Sequence, residues 1–267
     1  MTDQSTAQQS RTIDLEIEID ASIEDVWKAL TEADQLKSWF PYDARVTPGK
    51  GGSIWLSWGP ECEGEAPITI WDPPKHLQFT EHRGPFGAED SIASVDITTD
   101  YHLKSAGGKT VLRLVQAGLG PEKEWDGEYN ATAEDWPMFL AILSHYVPNH
   151  AGVVRRVTNI AATIDLPASE TWLRLFGSEK LILDSPYELN LADSLTVHGI
   201  TRLIKPGRRL VGTIPDLNDA VFVLTVHDKA DKSKIAIELS TYDVPAKVLA
   251  EREKVWLRGI EGICDAS

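Results

Sequence analysis

Near the start of the chain the residues alternate without a break. Ile13, Leu15, Ile17 and Ile19 are apolar, and Asp14, Glu16, Glu18 and Asp20 between them are acidic. Side chains of a β-strand point to opposite faces with a period of two. A helix would spread these four apolar residues around its whole surface, so only a strand gathers them on one dry face. The segment therefore predicts a half-buried strand in an antiparallel sheet with one covered side.

The next segments are consistent with such a sheet. Ser22-Ile23-Glu24-Asp25 reads as a helix N-cap with an acid at the third helical position. Val26, Trp27, Leu30 and Leu36 then recur at near-helical spacing. This predicts one helix from about Ile23 to Thr31 and a second, short one reaching Trp39-Phe40. Gly51-Gly52 leads into a strand with Ile54, Leu56 and Trp58 against Ser53, Trp55 and Ser57. Ile68 and Ile70 mark another strand, which Pro73-Pro74 ends because proline has no ladder donor. Leu77 and Phe79 restart the alternation. Val95, Ile97, Tyr101 and Leu103 continue it, and after a turn at Gly107-Gly108 come Leu112, Leu114 and Gln116 on one face. Strands at this spacing predict one antiparallel meander.

A helix is predicted from about Ala131 to Val147, with Trp136, Phe139, Leu140, Leu143 and Val147 on its apolar face. Pro137 either kinks it or marks its first turn. Pro148-Asn149-His150-Ala151-Gly152 then reads as a domain boundary.

The same programme restarts beyond that boundary. Ile160, Ala162 and Ile164 alternate, and Asp165-Leu166-Pro167 opens a helix carrying Trp172 and Leu175. Aligning Trp172 with Trp27 also pairs Ile164 with Ile19, Asp165 with Asp20 and Leu175 with Leu30. Strand-like runs come next at Tyr187–Leu191, Leu195–Ile204, Arg209–Ile214, Ala220–His227 and Lys234–Tyr242. A final helix places Leu249, Trp256, Ile260 and Ile263 on one face. The order of elements predicts a duplicated domain whose second copy is divergent and shortened; an unrelated α+β second domain is the alternative. The expected organisation is a disordered tail over 1–10, a first domain over 11–150 and a second over 151–267.

Composition narrows the function classes. A net charge of −15 over 267 residues disfavours binding to nucleic acid or to anionic membrane, since both need Lys and Arg for phosphate. No apolar run is long enough to span a bilayer, so no membrane insertion is expected. Cys62 and Cys264, far apart in sequence, suggest neither a disulfide framework nor a metal motif, and a reducing, cytoplasmic setting is expected.

Four stretches resemble a known group. These are Ile19 to Leu30, Leu36-Lys37-Ser38-Trp39-Phe40, Pro48 to Trp55, and Asp72-Pro73-Pro74 to Thr80. In order, they resemble the SRPBCC (START/Bet v 1-like) superfamily, in particular the activator of Hsp90 ATPase homologue 1-like branch. Thr110 to Leu119 and Trp136 to Val147 fit its last strand and closing helix more loosely. The second half lacks the Trp39-Phe40 and double-proline matches. The resemblance implies an α+β helix-grip fold: a curved antiparallel sheet wrapped around a long C-terminal helix, here in tandem. It also implies a cavity between sheet and helix that family members use for apolar ligands, some cyclising or hydrolysing them.

The chemistry itself is sparse. None of the seven histidines pairs with another at metal-ligand spacing on one element, and no nucleophile or dinucleotide motif occurs, so no metal and no cofactor is predicted. His145 is expected at the surface or boundary, and His102 facing away from any cavity. Glu81 shares strand parity with Leu77 and Phe79. It is either an acid or base in an apolar cavity or a wet residue at the sheet margin. Gln116 either orients a ligand or is an ordinary boundary residue. Trp39, Phe40, Trp58, Phe79, Tyr101, Leu114, Trp136 and Leu140 are the predicted lining, unless these rings simply fill the core. Trp55, of opposite parity to Ile54, is expected on the outer face. Three functions stay open: binding of a small apolar or aromatic molecule, a cyclase- or hydrolase-type enzyme in the same cavity, and a co-chaperone-like module with a protein partner.

Overall fold

In the computed structural model, which describes residues 10–85, 94–178, 180–191 and 195–264, the alternating segment forms strand β1, Arg11–Ile19. The expected tail lies outside the described residues but for Ser10. Ser22 caps helix α1 (Ile23–Thr31), its hydroxyl accepting from the Asp25 backbone N–H at 3.2 Å. Lys28 and Ser22 hold the Asp25 carboxylate in turn, at 3.0 and 2.7 Å. Their hydrogen bonds, Ser22's foremost, lower its pKa. The second helix, α2, covers only Ala33–Leu36, and the chain reaches Trp39-Phe40 through a turn in which Phe40 N–H donates to the Leu36 carbonyl.

The meander consists of β2 (Asp43–Thr47), β3 (Ser53–Ser57), β4 (Glu63–Asp72), β5 (His76–Arg83), β6 (Val95–Ala106) and β7 (Lys109–Leu119). Strand β2 has little hydrophobic period to announce it, because Ala44 and Val46 are its only apolar residues. Gly49 and Gly51, both at positive φ, form the β2–β3 turn. In β4 the register shifts between Ile68 and Ile70. Ile68 is buried, Ile70 moves to the other face opposite Gln78, and Trp71 takes the inner position. Simple alternation misplaces Ile70 because one bulged residue flips every side chain after it.

The sheet order is β1-β7-β6-β5-β4-β3-β2. The last strand thus returns beside the first, in antiparallel register from Ile13↔Gln116 to Ile19↔Thr110. Helix α3 (Asp126–His150) comes next. Its 25 residues span about 38 Å at the α-helical rise. It starts earlier than predicted because Asp126, Gly127, Glu128 and Asn130 show no apolar period. Pro137 therefore lies well inside the helix, not in its first turn, and Pro148 is helical too. The C-terminal end is tied down by Tyr146, whose fully buried hydroxyl accepts from Gly152 N–H at 3.1 Å. His145, expected near the surface, is 5% exposed and packs edge-on against His150.

The chain divides after Gly152. The second unit contains β8 (Arg155–Ile164), α4 (Ala168–Phe176), β9 (Pro186–Leu191), β10 (Leu195–Lys205), β11 (Arg209–Ile214), β12 (Ala220–Lys229), β13 (Lys232–Tyr242) and α5 (Ala246–Glu261). Its sheet runs β8-β13-β12-β11-β10-β9. Again the last strand pairs with the first and the meander runs back to the second. Ile19 and Ile164 close their first strands and are both within 1% of full burial, as are Leu30 and Leu175 on the adjoining helices. The molecule is a tandem α+β helix-grip protein, the second copy one strand shorter.

Where β7 pairs with β1, the register skips Gly118, which sits at φ +98° against Asp96. A Cβ there would collide with the Asp96 carbonyl oxygen. Gly118→Ala should destabilise the first domain by about 2 kcal/mol or more. Gly107→Ala, at positive φ but in open space, should cost only about 1 kcal/mol. Urea unfolding followed by tryptophan emission reads both. Equal losses would mean that the Asp96 contact does not fix the bulge.

Candidate functional site

The inner face of the first sheet is built from cross-strand neighbours. Leu77 of β5 stands opposite Tyr101 of β6, which stands opposite Leu114 of β7; Phe79, Thr99 and Gln116 form the next row. Helix α3 lays Trp136, Leu140 and Leu143 over this face, one helical turn apart. Trp136 meets Tyr101 edge-on with ring centroids at 6.2 Å, and Tyr101 meets Phe79 at 6.3 Å.

A second aromatic group comes from the turn after α2. Phe40 stacks on Trp39 at 5.0 Å and on Trp136 at 5.3 Å. The edges of Trp58 and Phe139 close on it at 5.0 and 4.7 Å. Trp39 is completely buried, its indole N–H donating to the Ala29 carbonyl at 2.8 Å. Trp58 remains half-buried at the margin. Aromatic contacts of this edge and stacked type add specific attraction to the area they bury.

Polar groups on this face fall into three states. Gln116, 9% exposed, is satisfied: its Oε1 accepts from Trp136 Nε1–H at 2.9 Å, and its Nε2 donates to Thr99 Oγ1 at 3.2 Å. Glu81 is neutralised: its carboxylate accepts from Arg83 Nε–H at 2.7 Å, and Arg83 also reaches Glu128 of α3 at 2.7 Å. Burial works against the Arg83 charge, but its hydrogen bonds to Glu128 and Glu81 outweigh this and raise its pKa. Tyr101 is the third case. It is 3% exposed, and its hydroxyl has no hydrogen-bond partner among the described residues. Burial alone pushes its pKa far above that of a free phenol.

The structure therefore brings together Trp39, Phe40, Trp58, Phe79, Tyr101, Leu114, Gln116, Trp136 and Leu140 on one side of the sheet. Glu81 lies at the end of that face in an ion pair. The indole N–H groups of Trp39 and Trp136 are both used internally. Sequence reasoning missed Thr99 and Phe139 as members of the group. Thr99 has the strand parity of Tyr101 and Phe139 lies one turn from Trp136, so both carried a signal. It also missed the link from Arg83 to Glu128, because Glu128 precedes the apolar part of α3. Trp55 does lie on the outer face, where the Arg45 guanidinium covers it at 3.9 Å.

In the second unit the corresponding interior is occupied by the unit's own rings. Tyr187 packs against Phe222 at 5.7 Å, and Phe222 against Trp256 at 6.2 Å. The Tyr187 hydroxyl donates to the Thr213 carbonyl at 2.8 Å. Gly199 and Gly212 lie beside this ring; a Cβ on Gly199 would collide first with the Thr213 carbonyl oxygen, and one on Gly212 would come within 3.0 Å of both Phe222 and Tyr187. Trp172 packs its helix onto the core.

A sheet gripping a long helix, with an aromatic inner face, defines the first domain as a helix-grip domain. Residues 20–148 match the family model described as activator of Hsp90 ATPase homolog 1-like protein. This domain is thus an activator of Hsp90 ATPase homologue 1-like member of the SRPBCC superfamily, a fold that commonly binds hydrophobic ligands. No curated protein matches the chain. Among solved structures, a protein of Mesorhizobium loti is 22% identical over 52% of this chain and 98% of its own, with a TM-score of 0.46. The Aha1 dimer from Colwellia psychrerythraea is 23% identical over 51% of this chain and 96% of its own, with a TM-score of 0.42. The di-domain ARO/CYC protein BexL of the BE-7585A biosynthetic pathway is 16% identical over 95% of this chain and 97% of its own, with a TM-score of 0.45. Among the described residues no helix is long and apolar enough to cross a membrane.

The Gln116 bridge ties α3 to the sheet. Gln116→Leu strands the Trp136 indole N–H, and should cost about 1–3 kcal/mol in urea unfolding. In a Trp136→Phe background the same change should cost about 1 kcal/mol less. A double-mutant cycle with no coupling would show that the bridge contributes nothing to the docking of α3.

Proposed function

We propose that the first domain binds a small apolar or aromatic molecule between the inner sheet face and α3, as a binding module rather than a catalyst. The Tyr101 hydroxyl carries this reading. The Tyr101 ring is buried while its hydroxyl makes no hydrogen bond among the described residues, and its ring neighbours Phe79 and Trp136 offer it none. A flat apolar ligand bearing one hydrogen-bond acceptor satisfies it and stacks on the surrounding rings. Catalysis needs several titratable groups converging on one point. Here Glu81 is engaged by Arg83, and Gln116 by Trp136 and Thr99. An exposed free thiol at Cys62 fits a reducing, cytoplasmic setting.

The test is titration of the full chain with 1-anilinonaphthalene-8-sulfonate, read by fluorescence, together with native mass spectrometry of the purified protein. A saturable site is expected, weakened roughly 2–10-fold by Tyr101→Phe, the range for loss of one hydrogen bond. Probe binding that is absent, or identical in the Tyr101→Phe variant, would overturn the proposal.

A further inference from the structure

The outer face of the same sheet carries a group that the aromatic interior does not use. His76 of β5 and His102 of β6 are directly paired across the strands, and their rings stack with centroids 4.2 Å apart. Asp100 precedes His102 by two residues and so projects from the same face. His76 Nε2 lies 2.6 Å from Asp100 Oδ1, and His102 Nε2 lies 3.2 Å from Asp100 Oδ2. One ligand atom from each of the three residues can be chosen so that all lie within 4.8 Å of one another.

This donor set is held from behind. Gln78, next on the outer face of β5, donates from Nε2 to Asp100 Oδ2 at 3.1 Å. The Gln78 amide is itself fixed by Thr69, whose hydroxyl donates to its Oε1 at 2.9 Å. Thr69 is the residue skipped where the β4–β5 register shifts. Bulge, amide and carboxylate thus form one chain of support, the kind that orients metal ligands. The side chains of His76, Asp100 and His102 are 25%, 18% and 45% exposed, so a hydrated ion has access from solvent. The charges around the group are of both signs, with Lys104 two residues beyond His102 on the same face of β6. Asp72 of β4 stands opposite His76. Arg113 of β7, opposite His102, is engaged by Asp14 through two hydrogen bonds of 2.9 and 2.6 Å.

We propose that His76, Asp100 and His102 form a binding site for a divalent transition metal, with Gln78 as the residue that positions the carboxylate. Two imidazoles and one carboxylate suit zinc, cobalt, nickel or copper, and leave coordination positions for water or an external ligand. In a tetrahedral site with bonds of about 2.0–2.1 Å, ligand atoms stand roughly 3.3 Å apart. Small side-chain rotations bring this set to that spacing. The ion takes the place of the His76 Nε2–Asp100 Oδ1 hydrogen bond, and a proton carried on that nitrogen leaves to solvent. No one element carries this site. It exists because the hairpin register sets residues 26 apart side by side, which is why no spacing motif announces it.

The test uses the full, tag-free chain titrated with Co2+, read by visible d–d absorption and calorimetry. One equivalent is expected to bind through imidazole. His102→Ala and Asp100→Asn should each weaken that equivalent at least about tenfold, and Gln78→Leu by a smaller factor. His82→Ala removes the similar but two-membered His82–Asp96 pair on the same face, and should leave the equivalent intact. His102 is the most exposed of the three, so its alanine variant should keep the fold, and far-UV circular dichroism checks this. Zinc should also raise the melting temperature of the wild type but not of His102→Ala. The proposal fails if no stoichiometric cobalt binds, or if the His102→Ala and Asp100→Asn variants bind it as the wild type does.

Discussion

The pairing of the last strand with the first is the contact on which each domain depends. In the first domain, β7 returns beside β1 from Ile13↔Gln116 to Ile19↔Thr110. This closes the meander and delivers the chain at the point where α3 must cross the inner face. The helix then has no choice of partner. Trp136, Leu140 and Leu143 can leave water only by packing on Tyr101, Leu114 and their neighbours. Gln116, in the closing strand, bonds the Trp136 indole and so fixes the helix against the strand that positioned it.

The two copies have used this frame differently. The second domain repeats the strand order but packs its interior with Tyr187, Phe222 and Trp256, and Tyr187 finds an acceptor in its own sheet. The first domain gathers more rings yet leaves the Tyr101 hydroxyl without a partner among the described residues. The second interior is not free of unsatisfied groups either, since the Trp256 indole N–H is buried without a hydrogen-bond partner among the described residues.

The two faces of the first sheet also separate two chemistries. Inward residues of β5, β6 and β7 are mostly aromatic or aliphatic, with Thr99, Tyr101 and Gln116 as polar points and Glu81 at the end of the face. Outward residues include His76, Gln78, Asp100 and His102, tied together by hydrogen bonds. Because side chains alternate, neighbouring residues such as Tyr101 and His102 serve opposite sides of one strand without interfering.

The sequence by itself determined most of the strands and helices, β2 excepted, the restart after Gly152, and most of the residues that share the inner face, because hydrophobic period is a local property written residue by residue. It brought out the aromatic residues of that face for the same reason, Phe139 excepted. Only the tertiary structure decided what depends on register and on partners. A bulge at Thr69 turned Ile70 outward, Arg83 claimed Glu81, α3 began five residues before its predicted start at Ala131, and His145 was buried by its neighbours. The sequence could place His102 on the far side of the strand from Tyr101. It could not show that His76, 26 residues earlier, stands directly beside it, because cross-strand pairing is set by turn geometry and sheet closure rather than by any pattern within a strand.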